Sequence, residues 1–216
     1  MKSTDTTIAN LRQEYKRSEL LETGIVKNPI EQFRTWFDQA VNAEVIEPNI
    51  MVLATAEKNG KPSARVVLLK GIESEGFTFF TNYLSRKGKE LKKNPFASVV
   101  FHWADLERQV RIEGKIEKLS KEDSEAYFHS RPVESQIGAI VSPQSQVIEG
   151  RQILDDKFKA YTEAYDGETI PKPAHWGGYI LKPDVIEFWQ GRASRLHDRL
   201  IYKKLNEGWK IERLAP

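Results

Sequence analysis

The sequence has no cysteine among its 216 residues. Disulfide bonds, thiolate catalysis and cysteine-ligated metals are therefore excluded. The absence fits a protein of a reducing compartment, and we expect a cytoplasmic one. Only four histidines occur, and their spacing matches no metal-ligand pattern, so the sequence predicts no metal site.

Long hydrophobic segments and an excess of one charge are missing as well. The polar stretch 1–10 lacks the apolar core of a signal peptide, and no window approaches the roughly 18 continuous apolar residues that span a membrane. The 33 basic and 31 acidic residues give a net charge of +2. This near-balance argues against nucleic-acid binding but leaves room for a local cationic pocket. We therefore predict neither a membrane nor a nucleic acid as a partner.

Several common signatures of enzyme sites are absent too. The chain has no glycine-rich phosphate loop, no evident Ser/His/Asp order and no carboxylate pair that the pattern would bury. It has instead a set of cations, amide side chains and aromatic rings. Such a set suits a phosphorylated aromatic ligand, and the chemistry would then belong to a bound cofactor.

The pattern of apolar residues predicts an α+β fold dominated by antiparallel strands. Short apolar runs alternate with turn signals such as Asn59-Gly60, and strands this closely spaced favour a closed or partly closed barrel with helices packed outside. Residues 1–28 are expected to form a mobile arm and residues 29–216 a single domain. Strands are predicted over residues 50–56, 63–70, 77–81, 96–103, 109–119, 177–180, 185–190, 195–205 and 209–214, and helices over residues 8–15, 29–41, 85–93, 120–131, 134–141 and 150–165.

A dense set of charged side chains lies near the C-terminus, in Arg195-Leu196-His197-Asp198-Arg199. If this run is extended, Arg195, His197 and Arg199 share one face of a strand. Three cationic or protonatable groups on one face repel one another unless an anion lies opposite, and a phosphate matches guanidinium geometry. A solvated strand edge guarded by charge explains the same pattern equally well.

Cations also flank the predicted strand 63–70. Arg65 and Lys70 are five residues apart and point to opposite faces, which are otherwise largely apolar, as in a strand covered on both sides. A cation at the edge of a buried strand needs a partner. That partner is either a ligand or an ordinary salt bridge.

The stretch Ser85-Arg86-Lys87 indicates an anion site. If Ser85 caps the helix, Arg86 and Lys87 lie in its first turn, where positive charge opposes the helix dipole. An anion bound at the helix start would make this arrangement favourable. A surface helix that tolerates a small destabilisation is the alternative.

A third cationic group lies in Tyr127-Phe128-His129-Ser130-Arg131-Pro132. Tyr127 and Arg131 are four residues apart and share a helix face, and Ser135 follows closely. Together they offer a ring, a guanidinium and a hydroxyl to a phosphorylated ring. An arginine that complements the dipole at a helix C-terminus is the simpler explanation of Arg131 alone.

Taken in this order, these sequence motifs resemble those of the pyridoxamine 5'-phosphate oxidase family, which are FMN enzymes that make pyridoxal 5'-phosphate. The resemblance implies an FMN-binding split β-barrel that forms a homodimer, with two FMN sites at the interface, each built from both subunits. It extends over nearly the whole chain from Leu11 on. The matching segments include Arg65–Lys70, Ser85-Arg86-Lys87, Glu107-Arg108-Gln109, Tyr127–Pro132, Ser135–Ala139, Gln144-Ser145, Trp176-Gly177-Gly178, Glu187–Gln190, Arg195–Arg199 and Arg213–Pro216.

The resemblance also implies a role for each matching residue. Arg195 and His197 would be the catalytic pair and would contact the pyridine ring, and Arg192 beside them is an extra cation without an assigned role. Phe80 stands where a tyrosine is common. The FMN-binding residues would be Arg65, Val66, Val67, Leu68, Lys70, Phe80, Thr81, Arg86, Lys87, Gln109, Gln144, Ser145, Trp189 and Arg199. The substrate-binding residues would be Lys70, Tyr127, Arg131 and Ser135 at the phosphate, Arg195 and His197 at the ring, and Arg12 and Tyr15 in a lid.

The implied reaction is the oxidation of pyridoxamine 5'-phosphate or pyridoxine 5'-phosphate to pyridoxal 5'-phosphate. Dioxygen would be the acceptor and would give hydrogen peroxide, with ammonia released from the amine. Two alternatives stay open: another split-barrel flavin oxidoreductase, such as a flavin reductase, or a non-catalytic protein that binds flavin or pyridoxal phosphate. A flavin reductase is disfavoured by the second phosphate-and-ring site implied for Lys70, Tyr127, Arg131 and Ser135 together with the pair Arg195 and His197.

Overall fold

The structure, a computed structural model, describes residues 14–216, and nine strands pair into one sheet within this range. The strand order is β2-β1-β5-β6-β7-β4-β3, with β8 pairing with β7 and β9 with β8. The pairs β1–β2, β3–β4, β4–β7, β7–β8 and β8–β9 are antiparallel, which confirms the predicted strand class. The strands are β1 (Ile50–Ala56), β2 (Pro62–Leu68), β3 (Gly71–Ile72), β4 (Phe77–Asn82), β5 (Phe96–Trp103), β6 (Arg108–Lys118), β7 (Trp176–Gln190), β8 (Asp198–Lys204) and β9 (Trp209–Arg213).

Side-chain caps begin three of the helices where the sequence predicts. The Asn28 side chain accepts a hydrogen bond from the Ile30 N–H, Ser85 from Gly88, and Ser120 from Asp123. These bonds satisfy N–H groups that the first helical turn leaves free. The helices are α1 (Pro29–Asn42), α2 (Arg86–Lys93), α3 (Lys121–His129), α4 (Val133–Val141) and α5 (Gln152–Ala164).

Two predicted strand boundaries are wrong. The strands predicted over 177–180 and 185–190 form one strand, β7. Its residues up to Leu181 pair with β4 and its residues from Val185 on pair with β8, so Pro183 lies between the two pairings. A proline there removes no hydrogen bond from either pairing. The predicted helix 8–15 lies outside the described residues, apart from its last two residues. The mobile arm over 1–28 and the single domain over 29–216 stay predictions.

The second error concerns the charged run near the C-terminus. Strand β8 begins only at Asp198, and Ala193–Arg195 form a short 3-10 turn in which Ser194 and Arg195 have positive φ angles of 57° and 61°. Arg195 and His197 therefore do not share a strand face with Arg199. Two consecutive non-glycine residues in the left-handed region are strained, and such strain is common at functional turns.

The described chain forms two compact units. The first contains residues up to Pro48, together with 100–112 and 185–216, and aromatic rings fill it. Phe33 packs on Phe101 with 4.9 Å between ring centroids, and Phe188 packs on Trp36 at 5.1 Å and on Tyr202 at 5.4 Å. These rings join α1 to β5, β7 and β8 through buried apolar area.

The second unit contains residues 49–99 and 113–184. One of its buried clusters draws on α3, α4 and the start of β7, and the partly buried rings of Phe80 and Tyr127 pack against it. The cluster therefore positions the ends of α3 and β4, where several of the predicted site residues lie. Its buried members are Phe128, Ile137, Val141, Ile170 and Trp176.

The carboxylate of Glu90 joins α2 to strands β1 and β2 within the second unit. Glu90 is only 1% exposed, and it accepts hydrogen bonds from Thr55 (2.5 Å), Ser63 (2.6 Å), Arg65 (3.2 Å) and Arg86 (2.9 Å). Burial by itself would raise the pKa of Glu90, but the hydrogen bonds from Ser63, Thr55 and Arg86 and the charge of Arg65 together lower this pKa to about 2. The carboxylate is therefore ionised at neutral pH and needs its donors.

This lowered pKa predicts a stability effect with a defined pH window. The ionised carboxylate stabilises the fold above its ordinary pKa of 4.5, and this contribution is lost as the pH falls towards the folded-state pKa of about 2. We expect Glu90→Gln to lower the free energy of unfolding at neutral pH by about 2–3 kcal/mol. Removing one partner of a fully buried ion pair would lower it more, but Arg86 is largely exposed. The difference from the wild type should shrink as the pH falls below 4.5.

Urea unfolding across this pH range measures the effect. Glu117→Gln is the matched control, since Glu117 also pairs with two cations, Lys115 and Lys182, but at the surface. We expect little change in that variant. A Glu90→Gln difference that stays constant down to about pH 3 would contradict the assigned ionisation.

Candidate functional site

A cavity of about 670 Å³ opens in the second unit. This volume is in the usual range for a small-molecule or cofactor site. Its lining comes from the ends of β2 and β4, the start of α2, the end of α3, and α4 with the segment after it. The lining residues are Val66, Val67, Leu68, Lys70, Phe80, Thr81, Asn82, Lys87, Tyr127, Arg131, Pro132, Ser135, Gly138, Ala139, Ser142, Gln144 and Trp176.

Lys87 is the buried cation of this cavity. It is 8% exposed, and its ammonium donates to Thr81 Oγ1 at 3.0 Å and to Gln144 Oε1 at 2.8 Å. Burial, helped by the nearby charge of Arg65 and opposed by Glu90, lowers the pKa of Lys87 to about 8. A cation held this way is stabilised by an anion beside it, so this end of the cavity suits a phosphate.

The two arginines predicted beside Lys87 both pair with Glu90. Arg65 meets the carboxylate at 3.2 Å, so the salt bridge that the sequence left open for Arg65 is present. Arg86 donates from Nε to Glu90, four residues along the same helix, and its side chain is 58% exposed. Sequence reasoning missed Glu90, although Thr55 and Ser63 were a signal, since they are polar residues within otherwise apolar strands.

An aromatic stack and a second cation form another part of the cavity. The rings of Phe80 and Tyr127 stack with 3.8 Å between centroids, and Trp176 lies parallel to both. The guanidinium carbon of Arg131 lies 4.7 Å from the centroid of Trp176, and its Nη2 donates to the Ser135 carbonyl. The four residues predicted for a substrate phosphate, Lys70, Tyr127, Arg131 and Ser135, therefore all line one cavity.

Arg131 has a donor without a partner. Its Nη1 is buried and makes no hydrogen bond, and burial lowers the pKa of Arg131. Buried donors of native proteins are almost always satisfied, so an unpaired one indicates a missing acceptor. A ligand with anionic oxygens would satisfy it.

Strand β2 supplies the apolar side of the cavity but is not covered on both faces. Val66 and Val52 are register partners on β2 and β1, and they are 61% and 40% exposed. The expectation that this strand is covered on both sides is therefore wrong for the chain by itself. Ser145 is exposed, with φ at 69°, and is not among the lining residues.

A second group of predicted residues gathers in the first unit. The Tyr15 ring lies 5.8 Å from Trp189 and 5.7 Å from His197, and Trp189 lies 4.6 Å from His197, between ring centroids. A Cβ on Gly191 would lie 2.7 Å from the Tyr15 ring, so this position needs glycine for the close approach. Arg12, the other predicted lid residue, lies outside the described residues.

The backbone sets the protonation of His197. The N–H of Arg192 donates to His197 Nδ1 at 3.1 Å, so the neutral ring carries its proton on Nε2. Burial and the positive charge of Arg195 lower the pKa of His197. His197 is therefore mainly neutral at physiological pH and can donate from Nε2. Arg195 itself is exposed at the strained turn.

Arg199 is held by a carboxylate in the same unit. Its Nε donates to Glu187 Oε1 at 2.8 Å, and its Nη1 donates to the Ala215 carbonyl. Glu187 is buried and also pairs with Arg111. Gln109 lies half-buried on β6. The structure thus places the predicted residues in two sets, one in each unit.

Residues 14–216 contain neither a metal site nor a membrane-spanning helix. No group of three or more His, Asp or Glu side chains there could hold a metal ion. No helix in that range has the length and apolar character needed to cross a membrane.

Two family profiles match the chain. The one described as Pyridoxamine 5'-phosphate oxidase matches residues 37–164, which is more than half of the chain. The one described as Pyridoxine 5'-phosphate oxidase C-terminal dimerisation region matches residues 176–216. The second match supports a homodimer.

Named relatives match over nearly their full length. A pyridoxine/pyridoxamine 5'-phosphate oxidase of Acaryochloris marina is 56% identical over 213 residues, which are 99% of this chain and 97% of the relative. A protein of the same name from Salinibacter ruber is 54% identical over 212 residues, with 97% and 99% of the two chains covered.

Solved structures share the fold. PhzG from Burkholderia lata, in complex with tetrahydrophenazine-1-carboxylic acid, aligns with a TM-score of 0.88 and 30% identity over 93% of this chain and 100% of its own. A pyridoxamine 5'-phosphate oxidase-related, FMN binding protein from Nostoc punctiforme aligns with a TM-score of 0.68 and 16% identity over 85% and 97%. The second likeness shows the fold alone, and both confirm the predicted split barrel.

The profile matches and the identities of 54–56% over nearly the whole length agree with one another. They agree as well with the cation and ring pattern that the sequence carries. The chain belongs to the pyridoxine/pyridoxamine 5'-phosphate oxidase family of enzymes.

Proposed function

We propose that this protein binds FMN and oxidises pyridoxamine 5'-phosphate and pyridoxine 5'-phosphate to pyridoxal 5'-phosphate, with dioxygen as acceptor. Hydrogen peroxide is the second product, and ammonia is released from the amine. The observation that carries the proposal is that one cavity is lined by both Lys87 and Arg131, with an aromatic stack among its other lining residues. Two phosphorylated aromatic ligands fit this arrangement, and the names of the relatives support it.

The residues present fit FMN. Lys87 and Thr81 offer an ammonium and a hydroxyl to its phosphate, with Arg65 and Arg86 close by on the same carboxylate. Val66, Val67 and Leu68 offer an apolar strand edge to its ring, and Gln144 offers an amide. When bound by these residues, FMN would supply the hydride-accepting chemistry and the reduction of dioxygen.

The unpaired Nη1 of Arg131 suits the substrate phosphate. Phosphate oxygens would give this buried donor its acceptor, and the Tyr127 and Ser135 hydroxyls and Lys70 add further donors. Because Arg131 is half-buried against Trp176, the ion pair is shielded from water and its geometry is restricted. The phosphate would then fix the position of the substrate ring.

Arg195 and His197 are proposed to hold the substrate ring over the cofactor. His197 is a neutral hydrogen-bond donor at Nε2, and Arg195 lies next to it at the turn. Trp189, Arg199 and Gln109 would belong to the cofactor site, as would Ser145, and Tyr15 and Arg12 to a lid. We propose that the homodimer completes each FMN site with residues of both subunits. The exposed Val52 and Val66 support this, since an apolar sheet face needs a cover.

A turnover assay tests the proposed function. Purified protein reconstituted with FMN should become yellow and convert pyridoxamine 5'-phosphate to pyridoxal 5'-phosphate with an equal amount of hydrogen peroxide. Flavin binding without turnover would instead indicate a carrier. Oxidation of a reduced nicotinamide without conversion of the vitamin phosphate would indicate a flavin reductase.

We expect Arg195→Met to keep FMN and lose most turnover. Without the guanidinium the substrate ring is no longer held in place, and a misplacement of this kind lowers kcat/KM by roughly 100-fold. FMN titration and steady-state kinetics measure the two properties separately. Arg151→Met is the control, because Arg151 is an exposed arginine at the start of α5, outside both sets. Near wild-type kcat/KM in Arg195→Met would refute the assigned role.

We expect Arg131→Met to impair phosphate recognition selectively. Methionine keeps apolar contact with Trp176 but removes the charge-assisted hydrogen bonds, so KM for pyridoxamine 5'-phosphate should rise by about 10–100-fold. FMN affinity should stay unchanged. A parallel loss of FMN affinity would show that Arg131 serves the cofactor or the fold rather than the substrate.

A further inference from the structure

We propose that Glu90 is a positioning residue that orients Arg65 and Arg86 towards the phosphate of FMN. Through these two guanidinium groups it would give the protein its preference for FMN over riboflavin, the same ring system without the phosphate. This inference rests on the proposed FMN binding. It concerns a buried carboxylate that is not among the residues lining the cavity.

The two carboxylate oxygens have separate partners. Oε1 accepts from Arg86 Nε at 2.9 Å, and Oε2 accepts from Arg65 Nη2 at 3.2 Å and from the hydroxyls of Thr55 and Ser63. The two hydroxyls come from neighbouring strands, β1 and β2, so they hold the carboxylate in one orientation. One carboxylate therefore contacts two arginines that are 21 residues apart in the sequence, and the Leu53 carbonyl accepts a further hydrogen bond from Arg65.

The charges around Glu90 do not balance. Arg65 and Arg86 pair with it, and Lys87 is close enough for its pKa to respond to both Arg65 and Glu90. Three cations thus lie near one carboxylate, of which two pair with it, and this leaves about two positive charges. A phosphate monoester carries about −1.5 to −2 at neutral pH, so its charge matches this excess.

Replacement of Glu90 by glutamine changes orientation as well as charge. The amide keeps one acceptor oxygen and puts an NH₂ donor where the other oxygen stood. In one orientation of the amide, its NH₂ group faces Arg86. In the other orientation, the NH₂ group faces Arg65 and the hydroxyls of Thr55 and Ser63. At least one guanidinium must therefore move from its present position.

Three possible roles of Glu90 predict three different results. If Glu90 positions the arginines, Glu90→Gln lowers the affinity for FMN but not for riboflavin. If it only damps the positive charge, the variant binds FMN more tightly relative to riboflavin, because one negative charge has gone. If it only holds the fold together, both affinities fall by the same factor.

The experiment is a fluorescence titration of the apoprotein with FMN and with riboflavin, for the wild type, Glu90→Gln and the surface control Glu117→Gln. We expect the ratio of FMN to riboflavin affinity to fall about tenfold in Glu90→Gln, as for the loss of one charge-assisted hydrogen bond, and to stay unchanged in Glu117→Gln. Arg86→Ala should lower the same ratio in the same direction. A ratio that is unchanged or raised in Glu90→Gln overturns the inference.

If the glutamine variant does not fold, Glu90→Asp replaces it in the same titration. It keeps the charge but withdraws the carboxylate by one methylene, so the arginines lose their common acceptor position, and the ratio should again fall. An unchanged ratio in Glu90→Asp overturns the inference in that case. Failure of the wild type to bind FMN would refute the proposed function itself and the inference with it, whereas wild-type FMN preference with an unaffected variant refutes the inference alone.

Discussion

The buried carboxylate of Glu90 is the interaction on which the region around Lys87 in the second unit depends. It joins β1, β2 and the start of α2, and each of its four partners is a donor from one of these elements. Because the carboxylate is buried, it is stable only while these donors stay in place. The same contacts therefore hold the strands to the helix and keep two arginines beside Lys87.

The two units contribute different kinds of chemistry. The second unit has the cavity, with buried Lys87 at one part of its lining and the unpaired donor of Arg131 at another. The first unit has the hydrogen-bonded His197 and the strained turn with Arg195. Holding phosphates and placing rings are separate tasks, and under the proposed function they fall to separate groups of residues. The match of residues 176–216 to a dimerisation region is consistent with a site that one subunit does not complete alone.

Local patterns predicted much of the secondary structure. The limits of β1 and β5, the Ser85 cap, the approximate starts of α1 and α3, and the antiparallel pairing follow from apolar periodicity and from side chains that hydrogen-bond to nearby backbone. The errors occurred where a pattern has two solutions. Two separate strands were predicted over 177–180 and 185–190, yet they form one strand, β7, which changes pairing partner around Pro183. The charged run at 195–199 was read as extended because alternation suits a strand, yet two residues of the turn adopt positive φ angles.

The sequence by itself determined the family and predicted a phosphorylated aromatic ligand, because cations, amides and rings at fixed spacing, and the order of the motifs, are properties of the chain. It also placed Lys70, Tyr127, Arg131 and Ser135 on one ligand, and the structure brings these four residues to one cavity. Only the tertiary structure showed that Glu90 is the partner of both Arg65 and Arg86, that Lys87 is buried, and that Arg131 keeps a free donor. These features depend on contacts between residues far apart in the sequence, and local periodicity carries no information about which distant donor meets which acceptor.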